Sequence, residues 1–110
     1  MDYNRRGTSP STGSYDTSGS CLQGYIKTTY EELESVLGPP TYREEGEKIS
    51  CEWVIKFDTG LIATIYDYKM GKTPMDVYDW HIGGYSRGTR TSSRDALVYI
   101  KELFTDAEVY

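Results

Sequence analysis

Glu52-Trp53-Val54-Ile55-Lys56-Phe57, then Asp58-Thr59-Gly60, then Leu61-Ile62-Ala63-Thr64-Ile65-Tyr66-Asp67-Tyr68-Lys69 is the stretch whose reading decides the fold. Counted back to Ile49, the apolar side chains Ile49, Cys51, Trp53, Ile55 and Phe57 share one phase. Ser50, Glu52, Val54, Lys56 and Asp58 share the other. A period of two with one wet side is the pattern of a half-buried β-strand. Asp58-Thr59-Gly60 reads as a short hairpin loop, with Gly60 free to take positive φ. The return strand runs from Leu61 to about Lys69, with Leu61, Ala63 and Ile65 pointing inward.

A third run, Val77-Tyr78-Asp79-Trp80-His81-Ile82-Gly83-Gly84-Tyr85, holds the single histidine and the second of two tryptophans. If Trp80 faces the core, His81 faces outward beside Glu52 or Tyr66. Gly83-Gly84 is expected to end this strand or to bulge it.

Helices flank the three strands. Thr29 to Glu32 fits a capping box, and Tyr30, Leu33, Val36 and Leu37 recur at helical spacing. Gly38 suits the left-handed position after a helix, and Pro39-Pro40 forbid continuation. Near the other end, Ser92 or Ser93 caps a helix whose apolar stripe is Ala96, Leu97, Ile100, Leu103 and Phe104. Leu22 to Lys27 fits a first edge strand. The expected fold is α+β: a small antiparallel sheet of three to four strands packed on two helices, in the order β-α-β-β-β-α.

At 110 residues the chain fits one domain. Residues 1–20 are dominated by Ser, Thr, Gly and Pro, too little to bury to offset their ordering entropy, and are expected to be a disordered tail. The domain is expected over 21–105, with 106–110 frayed. The hydrophobic fraction of 37% and mean hydropathy of -0.60 fit a soluble protein. No run approaches the roughly 18 apolar residues of a membrane helix. No leader pattern opens the chain, so the expected location is a cytosol.

The formal net charge is -5, and it is polarised. Lys27 to Asp58 carries eight acids (Glu31, Glu32, Glu34, Glu44, Glu45, Glu47, Glu52, Asp58) against four bases (Lys27, Arg43, Lys48, Lys56). Arg87, Arg90, Arg94 and Lys101 make a basic stretch that holds Asp95 alone as an acid. An acidic balance disfavours contact with phosphate backbones, so nucleic-acid binding through the tyrosines and Arg87, Arg90 and Arg94 ranks last among the alternatives. The two cysteines, Cys21 and Cys51, are expected reduced, with Cys51 in the core. They and the lone histidine lack zinc-ligand spacing, so neither metal nor cofactor is expected.

No Gly-x-Ser-x-Gly elbow, Walker loop, dinucleotide fingerprint or His-Glu-x-x-His occurs. His81 oriented by Asp79 is the one general acid-base candidate, and no nucleophile accompanies it. Tyr66, Tyr68 and Tyr85 with Asp79 and His81 form a candidate partner-binding face, because tyrosine supplies contact area at low entropy cost. Val54 is expected to join that exposed patch. The bland alternative is tyrosine pairing that only stabilises the sheet. A second reading is a nucleotide or other small ligand stacked on Trp80 or Tyr85, with Arg87 and Arg90 on phosphate.

The patterns Glu52-Trp53-x-Ile55-x-Phe57-x-x-Gly60, Ala63-Thr64-Ile65-Tyr66-Asp67-Tyr68-Lys69 and Trp80-His81-Ile82-Gly83-Gly84 resemble small uncharacterised proteins of bacteriophages and large DNA viruses. The resemblance spans roughly Gly24 to Phe104. It implies a viral origin and a host-directed or virion-associated binder, and no catalytic residue. The expectation is therefore a non-enzymatic interaction module that binds a protein partner, a second copy of the chain included, through the Tyr/Asp-rich sheet face or the acidic helix surface.

Overall fold

A computed structural model describes residues 10–15, 17, 20–57, 60–85 and 95–110, without the side chains of Pro10, Tyr85 and Asp95. In chain order the elements are β1 (Pro10–Thr12), β2 (Cys21–Thr28), α1 (Tyr30–Leu37), β3 (Tyr42–Arg43), β4 (Cys51–Phe57), β5 (Ile62–Tyr66), β6 (Tyr78–Tyr85), α2 (Asp95–Leu103) and β7 (Glu108–Val109). The strands form one antiparallel sheet in the order β1-β4-β5-β6-β2-β7, with β3 also on β4.

The α+β class and two helices agree with the sequence, but the sheet has seven strands rather than three or four. The additional strands are two or three residues long and have no periodicity to read. β1 and β3 share one edge of β4: Pro10 to Thr12 face Phe57 to Ile55, and Tyr42-Arg43 face Glu52-Cys51. Between them the Thr41 hydroxyl accepts the Val54 N–H, and the Gly13 N–H donates to the Val54 carbonyl. Part of the expected tail is thus strand. The C-terminal residues expected to fray also pair, Glu108 with Lys27 and Val109 with Ile26.

The hairpin register matches the sequence reading, with Lys56 opposite Ile62 and Trp53 opposite Ile65. Gly60 has φ 91°, while Asp58 and Thr59 lie outside the described residues. The return strand stops at Tyr66, because Asp67 turns its carboxylate onto the chain before β4. Asp67 is fully buried and accepts from the Ser50 and Cys51 amides (2.8 and 3.0 Å) and the Ser50 hydroxyl (2.6 Å). This inverts the expected start of β4, since Ser50 is buried and Ile49 is 38% exposed.

One face of the sheet carries the core. Ile26, Trp53, Ile55, Phe57, Ala63, Ile65, Trp80 and Ile82 pack against Leu33 and Leu37 of α1 and Ala96, Leu97 and Ile100 of α2. The Trp53 and Trp80 rings meet edge-on at 5.6 Å. Each indole N–H is satisfied by a carbonyl, Trp53 by Gly38 at 2.8 Å and Trp80 by Thr28 at 3.2 Å. A buried indole needs such a partner, and here both tie the core to the ends of α1. Thr29 caps α1 by accepting the Glu32 N–H, and Gly38 closes it at φ 82°. The Ser92 or Ser93 cap expected for α2 falls outside the described residues. Among those residues no helix is long and apolar enough to cross a membrane.

Gly83 and Gly84 neither end nor bulge β6. Both are paired on each side, with Thr64 and Ala63 of β5 and with Leu22 and Cys21 of β2. The irregularity lies in β2, between Leu22 and Gly24.

Candidate functional site

The face opposite the helices is organised by a single row of residues. Tyr42 pairs with Glu52, Glu52 with Tyr66, Tyr66 with His81, and His81 with Tyr25. Tyr25 in turn exchanges two backbone hydrogen bonds with Tyr110, at 2.7 and 2.9 Å. Directly opposed residues in a sheet point to the same side, so these six side chains form one band across the strands.

The rings in the band touch. His81 stacks on Tyr66 at 5.2 Å and meets Tyr25 edge-on at 5.0 Å, with Tyr68 at 5.8 Å. Tyr25 stacks on Tyr110 at 5.6 Å. Next to the band a cleft of about 380 Å³ opens over Glu52, Thr64, Tyr66, His81 and Gly83, rimmed by Cys21, Leu22, Ile49 and Tyr68. Gly83 creates part of that space, since a Cβ there would lie 2.8 Å from the Thr64 hydroxyl and 3.6 Å from the Tyr66 ring.

Among the described residues, no opposite charge compensates the carboxylate inside the cleft. Burial lifts the Glu52 carboxyl above its ordinary range, and its side chain has no hydrogen-bond or ion-pair partner among the described residues. Burial also lifts Tyr66, with the Glu52 charge adding to it. His81 moves the other way. Burial pulls it below its ordinary value, opposed by Asp67, and its enclosed Nδ1 has no partner among the described residues. The imidazole is therefore neutral at pH 7.

The residues singled out from sequence separate into groups. Tyr66, Tyr68 and His81 come together at the cleft. Asp79 does not orient His81; its carboxylate accepts the Tyr110 hydroxyl, whose pKa that bond pushes up to about 12. Tyr85 pairs through its backbone with Ile62, and its side chain lies outside the described residues. Trp80 is fully buried in the core and has no free ring face for a ligand. Arg87 and Arg90 lie outside the described residues. Val54 points outward in phase but is fully covered, so it is not part of an exposed patch.

Glu52, Tyr25, Tyr42 and Tyr110 were not singled out as site residues. Counting register back from Gly60 puts Glu52 opposite Tyr66, so that signal was present. Tyr25, Tyr42 and Tyr110 reach the band through pairings with no local signature.

The cleft offers aromatic faces and one carboxylate. No hydrogen bond joins His81 to Ser20 or Cys21, so no activated nucleophile is assembled there among the described residues. Nor do three His, Cys, Asp or Glu side chains gather in a metal-holding group among those residues. No protein-family model, curated protein or solved structure matches this chain.

Proposed function

We propose that this protein is a non-enzymatic interaction module that binds a protein partner through the outer face of its sheet. The observation that carries the reading is the aromatic band from Tyr42 to Tyr110 on the face opposite both helices. Its exposed margin includes Tyr42 (52%), Tyr68 (40%), Tyr110 (45%) and Leu22 (49%). Large amphipathic rings beside exposed apolar side chains are the composition of binding hot spots. Pre-stacked rings also lower the ordering cost of association. The phage- and virus-like strand pattern supports a host or virion protein as the partner.

The test is capture of partners from the natural host by the tagged chain, compared with a Tyr68→Ala, Tyr110→Ala double variant. Tyr68 and Tyr110 are both exposed, so the double variant should keep its melting temperature within a few degrees while losing the captured protein. Undiminished capture of the same protein would remove the outer face from consideration. The nucleotide alternative loses one of its two stacking residues to the enclosure of Trp80, while the side chain of the other, Tyr85, lies outside the described residues.

A further inference from the structure

We infer that the outer-face cleft is a receptor for an arginine side chain of the partner, with Glu52 pairing the guanidinium between the Tyr66 and Tyr68 rings. This assignment rests on the reading of that face as a partner surface and deepens it. Three observations on the chain support it.

The first is charge. Glu52 is partly withdrawn from water, yet no Lys or Arg nitrogen reaches it among the described residues. A half-buried carboxylate without a cation is costly and is relieved by importing one. The Lys69 ammonium lies over the Tyr68 ring at 5.4 Å and forms no ion pair with Glu52 among the described residues. A net charge of -5 favours the approach of a basic segment.

The second is the wall chemistry. Tyrosine faces attract cations, and the planar guanidinium stacks on rings while offering a two-pronged contact to a carboxylate, which an ammonium cannot. His81 backs Tyr66 at 5.2 Å and is neutral at pH 7, so it does not repel an incoming cation.

The third is shape. The missing side chain at Gly83 deepens the cleft, and exposed Leu22 and Ile49 at its rim suit the methylenes of an arginine stem.

The probe is N-acetyl-Gly-Gly-Arg-Gly-Gly-amide, with the neutral citrulline peptide as its near-isosteric control. The arginine peptide should shift the backbone amide resonances of Glu52, Tyr66 and Gly83 saturably by about 10 mM. The citrulline peptide should bind at least about tenfold more weakly. Alkylation of Cys21 at the cleft rim should slow with the arginine peptide alone. Cys51 does not interfere, being buried with its thiol pushed up to about 12.

Glu52→Gln should abolish both effects while melting no lower than the parent. Equal titration by both peptides, no saturable shift, or full binding by Glu52→Gln would overturn the assignment. Partner capture separates the two levels. If Tyr68→Ala, Tyr110→Ala loses the partner while Glu52→Gln keeps it, the surface stands and the arginine assignment falls. If neither variant affects capture, the surface reading falls with it.

Discussion

Asp67 carries a large structural duty for a single side chain. It looks like one of the polar residues interleaved with the tyrosines, and alternation from Ala63 and Ile65 sends it inward, where a carboxylate is unexpected. Its partners explain the placement: it takes the Ser50 and Cys51 amides and the Ser50 hydroxyl at the start of β4. Asp67→Ala would orphan the buried Ser50 and Cys51 amides, while the Ser50 hydroxyl keeps Thr73 at 3.1 Å. At about 1–3 kcal/mol for each unsatisfied group, the expected loss is about 2 kcal/mol or more, a large share of a typical domain's stability. Urea denaturation measures it, and Asp67→Asn, which keeps one acceptor, should lose less. A change below about 1 kcal/mol for the alanine variant would show that these bonds are replaceable by water. The swap of Ile49 outward and Ser50 inward follows from the same carboxylate. Hydrophobic phase alone could not reveal it, because the deciding partner lies seventeen residues away.

At the scale of elements, what was legible is what is encoded locally. The α1 cap, its glycine stop and the β4–β5 hairpin depend on residues within a few positions of one another, and all three were readable. β1, β3 and β7 were not, since strands of two or three residues are defined by their neighbour rather than by their own pattern. The Gly83-Gly84 pair shows the same division. Glycine in a strand signals a bulge or a close approach, and the sequence does not say which. In the sheet Gly84 runs beneath α2, where a Cβ would lie 2.8 Å from the Ala96 Cβ and 2.9 Å from the Ile62 carbonyl oxygen. Neither neighbour is a flexible tip. Gly84→Ala should therefore cost about 1–3 kcal/mol by overpacking, read as a lowered melting temperature. An unchanged melting temperature would mean that α2 can shift away from β6 freely.

Across the whole molecule, the outer face couples pH to stability in two opposed ways. His81 is held below its ordinary value of 6.5, so the folded state binds that proton less well than the unfolded chain. Its contribution is present above about pH 6.5 and is lost as pH falls through the lower folded value. Glu52 is held above 4.5, so its protonation favours folding. That contribution is present below about pH 4.5 and is lost as pH rises through the raised value. Glu52→Gln should thus stabilise the fold at about pH 7, with the gain shrinking toward about pH 4. His81→Phe should flatten the fall in melting temperature below about pH 6.5. Parallel profiles for parent and variants would show that neither group titrates differently in the two states. By itself, the sequence determined the α+β class, both helices, the central hairpin and the inward set of apolar side chains apart from Ile49 and Val36, because period, caps and turn chemistry are local properties of the chain. Only the tertiary structure decided that Tyr42, Glu52, Tyr66, His81, Tyr25 and Tyr110 form one band, and that Glu52 sits in its cleft without a partner among the described residues. Strand order and cross-strand register place residues from opposite ends of the chain side by side, and no local pattern encodes that adjacency.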